Sequence, residues 1–111
     1  MKKVHTVKAH REFDRIIHQG RAIKSPHFSI YFVPSPLEHV RVGLSVGKKN
    51  GIAVRRVLQK RQVRAMVAKA DLIPLKADII IVLRPNYDPS DYAGMEGELL
   101  LSLTKLKEMI H

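Results

Sequence analysis

Alternating and helically spaced apolar residues predict the elements of the first half of this chain. Apolar positions at helical spacing predict a first helix over Val7–Gly20. Strict alternation predicts strands over His27–Val33 and Val40–Val46. We expect a short strand around Arg21–Lys24 to precede the first of them. We expect the two longer strands to form an antiparallel pair across the Pro34–His39 loop.

The second half predicts a long helix, a buried strand and a last helix. Ile52–Ala70 contains no Gly or Pro, which favours one uninterrupted helix, and Asp78–Leu83 reads as a buried strand that Arg84-Pro85 stops. The Asp88–Tyr92 loop, with Asp88 and Asp91 in turn and cap roles, precedes a helix that ends near His111. The order α-β-β-β-α-β-α predicts an α+β, two-layer sandwich, and 111 residues fit one domain spanning 1–111.

The long helix is predicted to carry two different faces. At 100° per residue, one sector forms a core stripe made of Ile52, Gln59, Val63, Met66, Val67 and Ala70. Gln59 is the one polar member of that stripe. A second sector holds Val57, Lys60, Arg61 and Arg64, and Arg56 borders both.

Positive charge is concentrated in the middle of the chain. The formal net charge is +10, and the stretch from His39 to Ala70 has nine Lys and Arg residues and no Asp or Glu. Such a field repels itself and is typical of a protein that binds nucleic acid. A basic helix face can also be merely solvated, but solvated helices usually mix signs to gain side-chain pairs. The nine are Arg41, Lys48, Lys49, Arg55, Arg56, Lys60, Arg61, Arg64 and Lys69.

Composition excludes several other classes of protein. There is no Cys, hence no disulfide framework or Cys-based zinc site. The basic N-terminus lacks the apolar region of a signal peptide, and the longest apolar run, Ile79–Leu83, is too short to cross a membrane. The basic segment has no Phe, Trp or Tyr to anchor it on a membrane surface. We therefore expect a cytoplasmic protein without a membrane partner.

Several motifs, in this order, resemble the bacterial ribonuclease P protein subunit across nearly the whole chain. The most specific is RVGLSVGKK at Arg41–Lys49, which is followed by GIAVRR at Gly51–Arg56. EFDRIIHQG at Glu12–Gly20 and HFSIY at His27–Tyr31 precede them, and DIIIVLRP at Asp78–Pro85 matches the last strand of the family.

The resemblance implies a fold like that of the second domain of ribosomal protein S5, with a left-handed βαβ crossover. It implies that the chain binds the ribonuclease P RNA subunit and the 5′ leader of precursor tRNA. In the family the RNA removes that leader with metal-activated water. The protein would then supply no catalytic residue and no organic cofactor, Mg²⁺ would be bound mainly by the RNA, and any metal ligands of the protein stay unknown.

The resemblance also implies two sets of site residues. The RNA-binding set is Lys48, Lys49, Arg55, Arg56, Lys60, Arg61 and Arg64. A cleft between the first helix and the sheet would hold the single-stranded leader, with Phe13 and Tyr31 at aromatic positions of the family. Ile17 stands where the family commonly has another aromatic. From spacing alone, Phe13 fits a core position as well as a cleft position.

The long helix departs from the family pattern at several positions. Ile52 and Val57 stand where the family has Asn, Leu58 stands where it has Arg, and Gln59 replaces a core aliphatic residue. Valine cannot make the hydrogen bonds of an asparagine amide. We therefore hypothesise that this chain binds RNA more weakly than members with the full pattern, or differently.

Two other functions remain open on the sequence alone. One is a ribosomal-type RNA-binding protein on a related fold, without a role in tRNA processing. The other is a protein that cleaves RNA unaided, for which a His pair could supply acid–base catalysis. The six histidines show no metal-ligand spacing and no pairing in the sequence, so this second alternative has little support.

Overall fold

Five strands form one mixed sheet in the part of the chain that the structure, a computed structural model, describes: residues 5–6, 10–34, 40–72 and 75–110. The elements are β1 (His5–Thr6), α1 (His10–Gln19), β2 (Arg21–Lys24), β3 (Phe28–Pro34), β4 (Arg41–Val46), α2 (Ala53–Ala68), β5 (Ala77–Leu83) and α3 (Tyr92–Met109). The predicted α+β class and the order of its helices and longer strands are confirmed. The predicted start of α1 at Val7 and the end of the last helix at His111 lie outside the described residues.

The sheet order is β1-β4-β5-β3-β2, so one expected strand pairing is wrong. β3 and β4 are not neighbours, because β5 lies between them, antiparallel to β3 and parallel to β4. Alternation fixes which residues share a face of the sheet, but it does not fix which strand is adjacent. Helix α2 connects β4 to β5, and a crossover of this kind is what parallel neighbours require.

The central strand β5 is buried on both faces. Ile79, Ile80 and Ile81 are all inaccessible to solvent, which suits a strand covered by helices on each side. Ile79 and Ile81 belong to the main core, which α2 and α3 cover. Ile80 belongs to a smaller cluster on the other face, where Ile16 of α1 packs. The predicted sandwich thus consists of the sheet and the pair α2–α3, and α1 covers part of the opposite face.

Local sequence explains where two helices begin and end. Asp91 caps α3, since its Oδ1 accepts a hydrogen bond from the backbone N–H of Gly94 at 3.1 Å. Asp88 accepts hydrogen bonds from the backbone N–H and the hydroxyl of Ser90, so both predicted turn and cap roles are confirmed. After α1, a side chain at Gly20 would come within 2.8 Å of the Phe32 carbonyl oxygen, so only glycine permits this tight exit into β2.

Candidate nucleic-acid interface

A basic turn, Gly47–Gly51, connects β4 to α2. Its residues Lys48–Asn50 form one turn of 3-10 helix, and the side chains of Lys48 and Lys49 are exposed. Gly51 has φ of 113°, a conformation that residues with a Cβ rarely adopt. The carbon stem of Arg55 lies against Gly51, which brings this guanidinium to the same end of the helix as the two lysines.

Asn50 and Gln59 form a buried polar pair that holds the basic turn against α2. The Gln59 amide donates to the backbone carbonyl of Asn50 at 3.0 Å, and its Oε1 accepts from Asn50 Nδ2 at 3.1 Å. Asn50 Nδ2 also donates to the carbonyl of Arg84 at the end of β5, at 2.8 Å. The predicted core position of Gln59 is confirmed, and its hydrogen bonds offset the cost of burying an amide.

The cations of α2 lie along its solvent side. At 100° per residue, Arg56, Lys60, Arg61 and Arg64 span about 140° of the helix circumference. Arg61 and Arg64 are exposed, and Arg56 and Lys60 are half-buried. Helix α2 contains no Asp or Glu. Among the described residues, the cations that form ion pairs are Arg15, His27, Arg41 and Lys69. No ion pair is formed there by Arg56, Lys60, Arg61 and Arg64 of α2, or by Lys48, Lys49 and Arg55.

Two members of the basic stretch are engaged elsewhere. Arg41 donates two hydrogen bonds to Asp78, from Nε at 2.9 Å and from a terminal nitrogen at 2.7 Å, and a third to Glu12. The hydrogen bond to Asp78 is the main reason that the pKa of Arg41 rises above its ordinary value. Lys69 pairs with Glu96 at 2.8 Å, and that hydrogen bond raises the pKa of Lys69. The other seven of the nine basic residues have no ion-pair partner among the described residues.

The prediction that Ile52 belongs to the core stripe is wrong. Its backbone is extended, with φ of −68° and ψ of 165°, because α2 begins only at Ala53. Helical periodicity therefore does not reach Ile52, and the residue is 69% exposed. The other predicted members of the stripe are buried, namely Gln59, Val63, Met66, Val67 and Ala70.

Three aliphatic side chains of α2 also face the solvent. Val54, Val57 and Leu58 are 75%, 56% and 41% exposed, and the exposure of Val57 agrees with its predicted sector. Together they form the outer strip, on the side of α2 opposite the core. Ala65 and Ala68 continue the same line, and both are exposed.

Phe13, Ile17 and Tyr31 lie together on the face of the sheet that α1 covers. All three are partly buried and pack against the cluster of Ile16, Val33 and Ile80. Phe13 lies over Gly43, where a Cβ would come within 2.6 Å of the phenyl ring. Phe13 is thus a packing residue between α1 and the sheet.

The open end of this face is lined by a cross-strand row. Lys24, Ser29, Val82 and Ser45 are register partners on four successive strands. Lys24 is exposed, Val82 and Ser45 are half-buried, and Ser29 is buried. Lys24 thus places a positive charge at the edge of the row, on the same face of the sheet as Tyr31.

A buried carboxylate fixes α1 on this face of the sheet. Asp78 is fully buried, and it accepts hydrogen bonds from Arg15 of α1 at 2.8 Å and from Arg41 of β4. Glu12 of α1 binds Arg41 as well. Sequence reasoning missed this network, because its partners are distant in the chain, and the one available signal was an Asp at the start of an otherwise apolar strand.

The described part of the chain meets the requirements of neither of two other features, a metal site and a membrane-spanning helix. Its side chains include no cluster of three or more His, Asp or Glu placed to hold a metal ion. Among the helices that the structure describes, none combines the length and the apolar character needed to cross a membrane.

Comparison with known proteins gives one consistent answer. The family model described as Ribonuclease P matches residues 1–107. The chain is 34% identical over 108 residues to the ribonuclease P protein component of Streptococcus mutans, covering 96% of this chain and 91% of that protein. It is 32% identical over 108 residues to the component of Acholeplasma laidlawii, covering 96% and 93%.

Solved structures agree in fold. The RNase P protein of Staphylococcus aureus superposes with a TM-score of 0.80 at 28% identity, covering 95% of this chain and 97% of that chain. The RNase P protein of Thermotoga maritima superposes with a TM-score of 0.77 at 25% identity, covering 91% and 96%.

Proposed function

The chain belongs to the ribonuclease P protein family, and from that membership we propose that residues 1–111 form one RNA-binding domain with two RNA contacts. As a family member the chain is the protein component of an endoribonuclease that cleaves precursor tRNA, and its partner is the RNA subunit. The relatives named above are all ribonuclease P proteins, so a ribosomal-type function without tRNA processing has no support.

The first proposed contact joins the RNA subunit to the basic surface, which comprises Lys48, Lys49, Arg55, Arg56, Lys60, Arg61 and Arg64. The observation that carries it is that none of these seven cations has an ion-pair partner among the described residues. Phosphates would relieve their mutual repulsion, and release of counterions from the RNA would drive binding. The Asn50–Gln59 pair supports this role, because it fixes the turn lysines relative to the helix arginines.

The second proposed contact holds the 5′ leader of precursor tRNA in the cleft beside α1. Tyr31 offers a partly exposed ring on which a base can stack, and Phe13 and Ile17 line the adjacent wall. Lys24 at the edge of the cleft can meet a leader phosphate. Contacts of this kind tolerate any base, which suits an enzyme whose substrates carry different leaders.

The protein would have a supporting role in the cleavage step. No residue of the chain is proposed to be catalytic, and Mg²⁺ would be bound mainly by the RNA partner. By holding the leader and covering RNA phosphates, the protein would lower the repulsion that opposes substrate and Mg²⁺ binding. A cytoplasmic location stays a prediction.

Reconstitution tests the whole proposal. Precursor tRNA is incubated with the protein alone, with the RNA subunit alone at physiological Mg²⁺, and with both. We expect efficient cleavage only in the mixture. Cleavage by protein alone would instead support an unaided ribonuclease, and a mixture no faster than RNA alone would contradict the proposed role.

A second measurement isolates the leader contact. Tyr31→Ala should weaken binding of precursor tRNA to the reconstituted enzyme by about 1–3 kcal/mol, the usual value of a base stacked on an aromatic ring. Binding of mature tRNA, which lacks the leader, serves as the control and should not change. Equal losses for both tRNAs would argue against the cleft as the leader site.

A further inference from the structure

The outer strip of α2 is an apolar surface surrounded by cations. Val54, Val57 and Leu58 lie at helical spacing on the side opposite the core, and Ala65 and Ala68 extend the line. Helix α2 therefore carries an apolar stripe on its solvent side as well as on its core side. A helix that is apolar on both sides is normally covered on both. In the described part of the chain, nothing covers this side.

The charges around the strip define what can cover it. Arg61 lies within the strip, Arg55 flanks one side, and Arg56, Lys60 and Arg64 flank the other. No acidic residue occurs in α2 to offset them. The partner must therefore present negative charge on both sides of an apolar surface. A second copy of this chain would bring the same unpaired cations against this helix, which disfavours self-association.

We propose that the outer strip contacts unstacked bases of the RNA subunit, in a loop or a bulge, while the flanking cations bind the phosphates around them. This inference rests on the proposed function and specifies the RNA element that the basic surface recognises. The faces of the bases are the apolar part of RNA, and they are accessible only where the bases are unstacked. A continuous double helix offers phosphates and 2′-hydroxyls, against which aliphatic side chains would only remove water.

The outer strip includes two of the positions at which this chain departs from the family pattern. Val57 and Leu58 stand where the family has Asn and Arg, so polar contacts are replaced by aliphatic ones at the same place on α2. Of the two hypotheses drawn from these departures, the outer strip favours a different mode of RNA binding over a merely weaker one. In that different mode, apolar contacts replace ionic or polar ones. The dependence of affinity on salt concentration separates the two, because only contacts of cations with phosphates make binding salt-dependent.

The test compares two sets of variants across a salt series. Val54→Thr, Val57→Thr and Leu58→Gln are combined, because these changes keep side-chain size and add polar groups at exposed positions. Affinity for the RNA subunit should fall about tenfold or more at every salt concentration, with an unchanged slope of log affinity against log salt. Arg61→Gln with Arg64→Gln should reduce that slope. Leu101→Gln, at a 60% exposed position on α3, is the matched control and should bind normally.

Two hairpins sharpen the test, one fully paired and one with a short bulge. The wild-type protein should prefer the bulged hairpin, and the strip variant should lose that preference while keeping the wild-type unfolding midpoint. A strip variant that binds the RNA subunit like the wild type would overturn the inference. The proposed function would still stand if the arginine variant lost affinity, and it would fail if that variant also bound normally. Sedimentation as a dimer that the strip variant abolishes would overturn the inference in favour of a second copy.

Discussion

The two sides of the sheet differ in the ion pairing of their cationic side chains. On the α1 side, Arg15 and Arg41 bind Asp78, which is inaccessible to solvent, and Glu12 joins the same network. On the α2 side, the seven cations of the basic surface have no ion-pair partner among the described residues. Cationic residues thus hold α1 in place on one side, and on the other side the seven of the basic surface have no carboxylate partner among the described residues.

Charge density along the chain does not by itself locate a binding surface. Arg41 belongs to the same basic stretch as Arg61, but Asp78 and Glu12 neutralise it from distant parts of the chain. A buried ion pair fixes geometry, because separating it leaves a charge without water or partner. An exposed, unpaired cation contributes little to folding and is free to bind phosphate.

Removing the buried carboxylate should have the largest effect on the molecule. Asp78→Asn deprives two arginines of their common partner, and we expect a loss of about 3–5 kcal/mol in the free energy of unfolding. Urea titration measures this loss. Asp14→Asn, at an exposed carboxylate on α1, is the control and should cost under about 0.5 kcal/mol. A loss below about 1 kcal/mol for Asp78→Asn would remove the distinction between the two sides.

The neutral polar pair under the basic turn should rank second. Gln59→Leu leaves the Asn50 carbonyl without its hydrogen bond, at a cost of about 1–3 kcal/mol in unfolding free energy. The double variant Asn50→Val with Gln59→Leu should lose less than the sum of the two single variants, because the bond between the two side-chain amides can be removed only once. Gln19→Leu, at an exposed position, is the control. Strictly additive losses in the double variant would contradict the pairing.

Neutralising one cation of the basic surface should change binding and leave folding intact. Arg61→Gln is expected to weaken RNA affinity about tenfold at low salt, equivalent to about 1.4 kcal/mol, and to reduce the salt slope by about 1. Its unfolding midpoint should match that of the wild type. Lys105→Gln, which removes an exposed cation from α3, is the control. A large loss of stability in Arg61→Gln would mean that this arginine is structural after all.

Replacing Glu98 should give the smallest change in the free energy of unfolding, and the size of this change should depend on pH. Burial opposes ionisation of Glu98, but hydrogen bonds from Ser25 Oγ at 2.6 Å and from the backbone and ring N–H groups of His27, both at 2.7 Å, outweigh it and lower the pKa. The carboxylate therefore stabilises the fold above its ordinary pKa of 4.5, and this contribution disappears as pH falls through the lowered value.

Glu98→Gln should accordingly cost about 1 kcal/mol at pH 7, and its difference from the wild type should shrink in acid. Urea titrations at neutral pH and below the lowered pKa test this sign. Glu108→Gln, at an exposed position, provides the baseline. A difference that grows on acidification would mean that Glu98 is not held as a carboxylate.

Much of the fold was predictable because local patterns carry it. Alternation identified the faces of β3, and the Asp91 cap and the Gly20 exit were visible as residue types. The position of β5 between β3 and β4 was not visible, because any strand with an apolar face can pair with another. The burial of Ile52 was predicted wrongly because helical spacing was extended one residue beyond the start of α2.

The site was predictable in composition and less so in its details. The stretch without acidic residues identified the cations, but only the structure separates Arg41 and Lys69, whose partners lie on other elements, from the remaining seven. Gln59 looked anomalous in the core stripe until its bonds to Asn50 were seen. Contacts between distant segments decide such cases, and periodicity along one segment carries no information about them.

The central position of β5 has a consequence for how the chain is made. During synthesis β3 and β4 emerge well before Ala77–Leu83. Until that segment emerges, both strands lack β5, the strand that lies between them in the folded sheet. Up to that moment β2–β3 is the one local hairpin among the described strand pairs, and the pairs of β3 and β4 with β5 must wait for a distant segment. A ribosome-bound fragment ending before Ala77 should consequently be open to proteases, and release of the last third of the chain should close the molecule in a single late step.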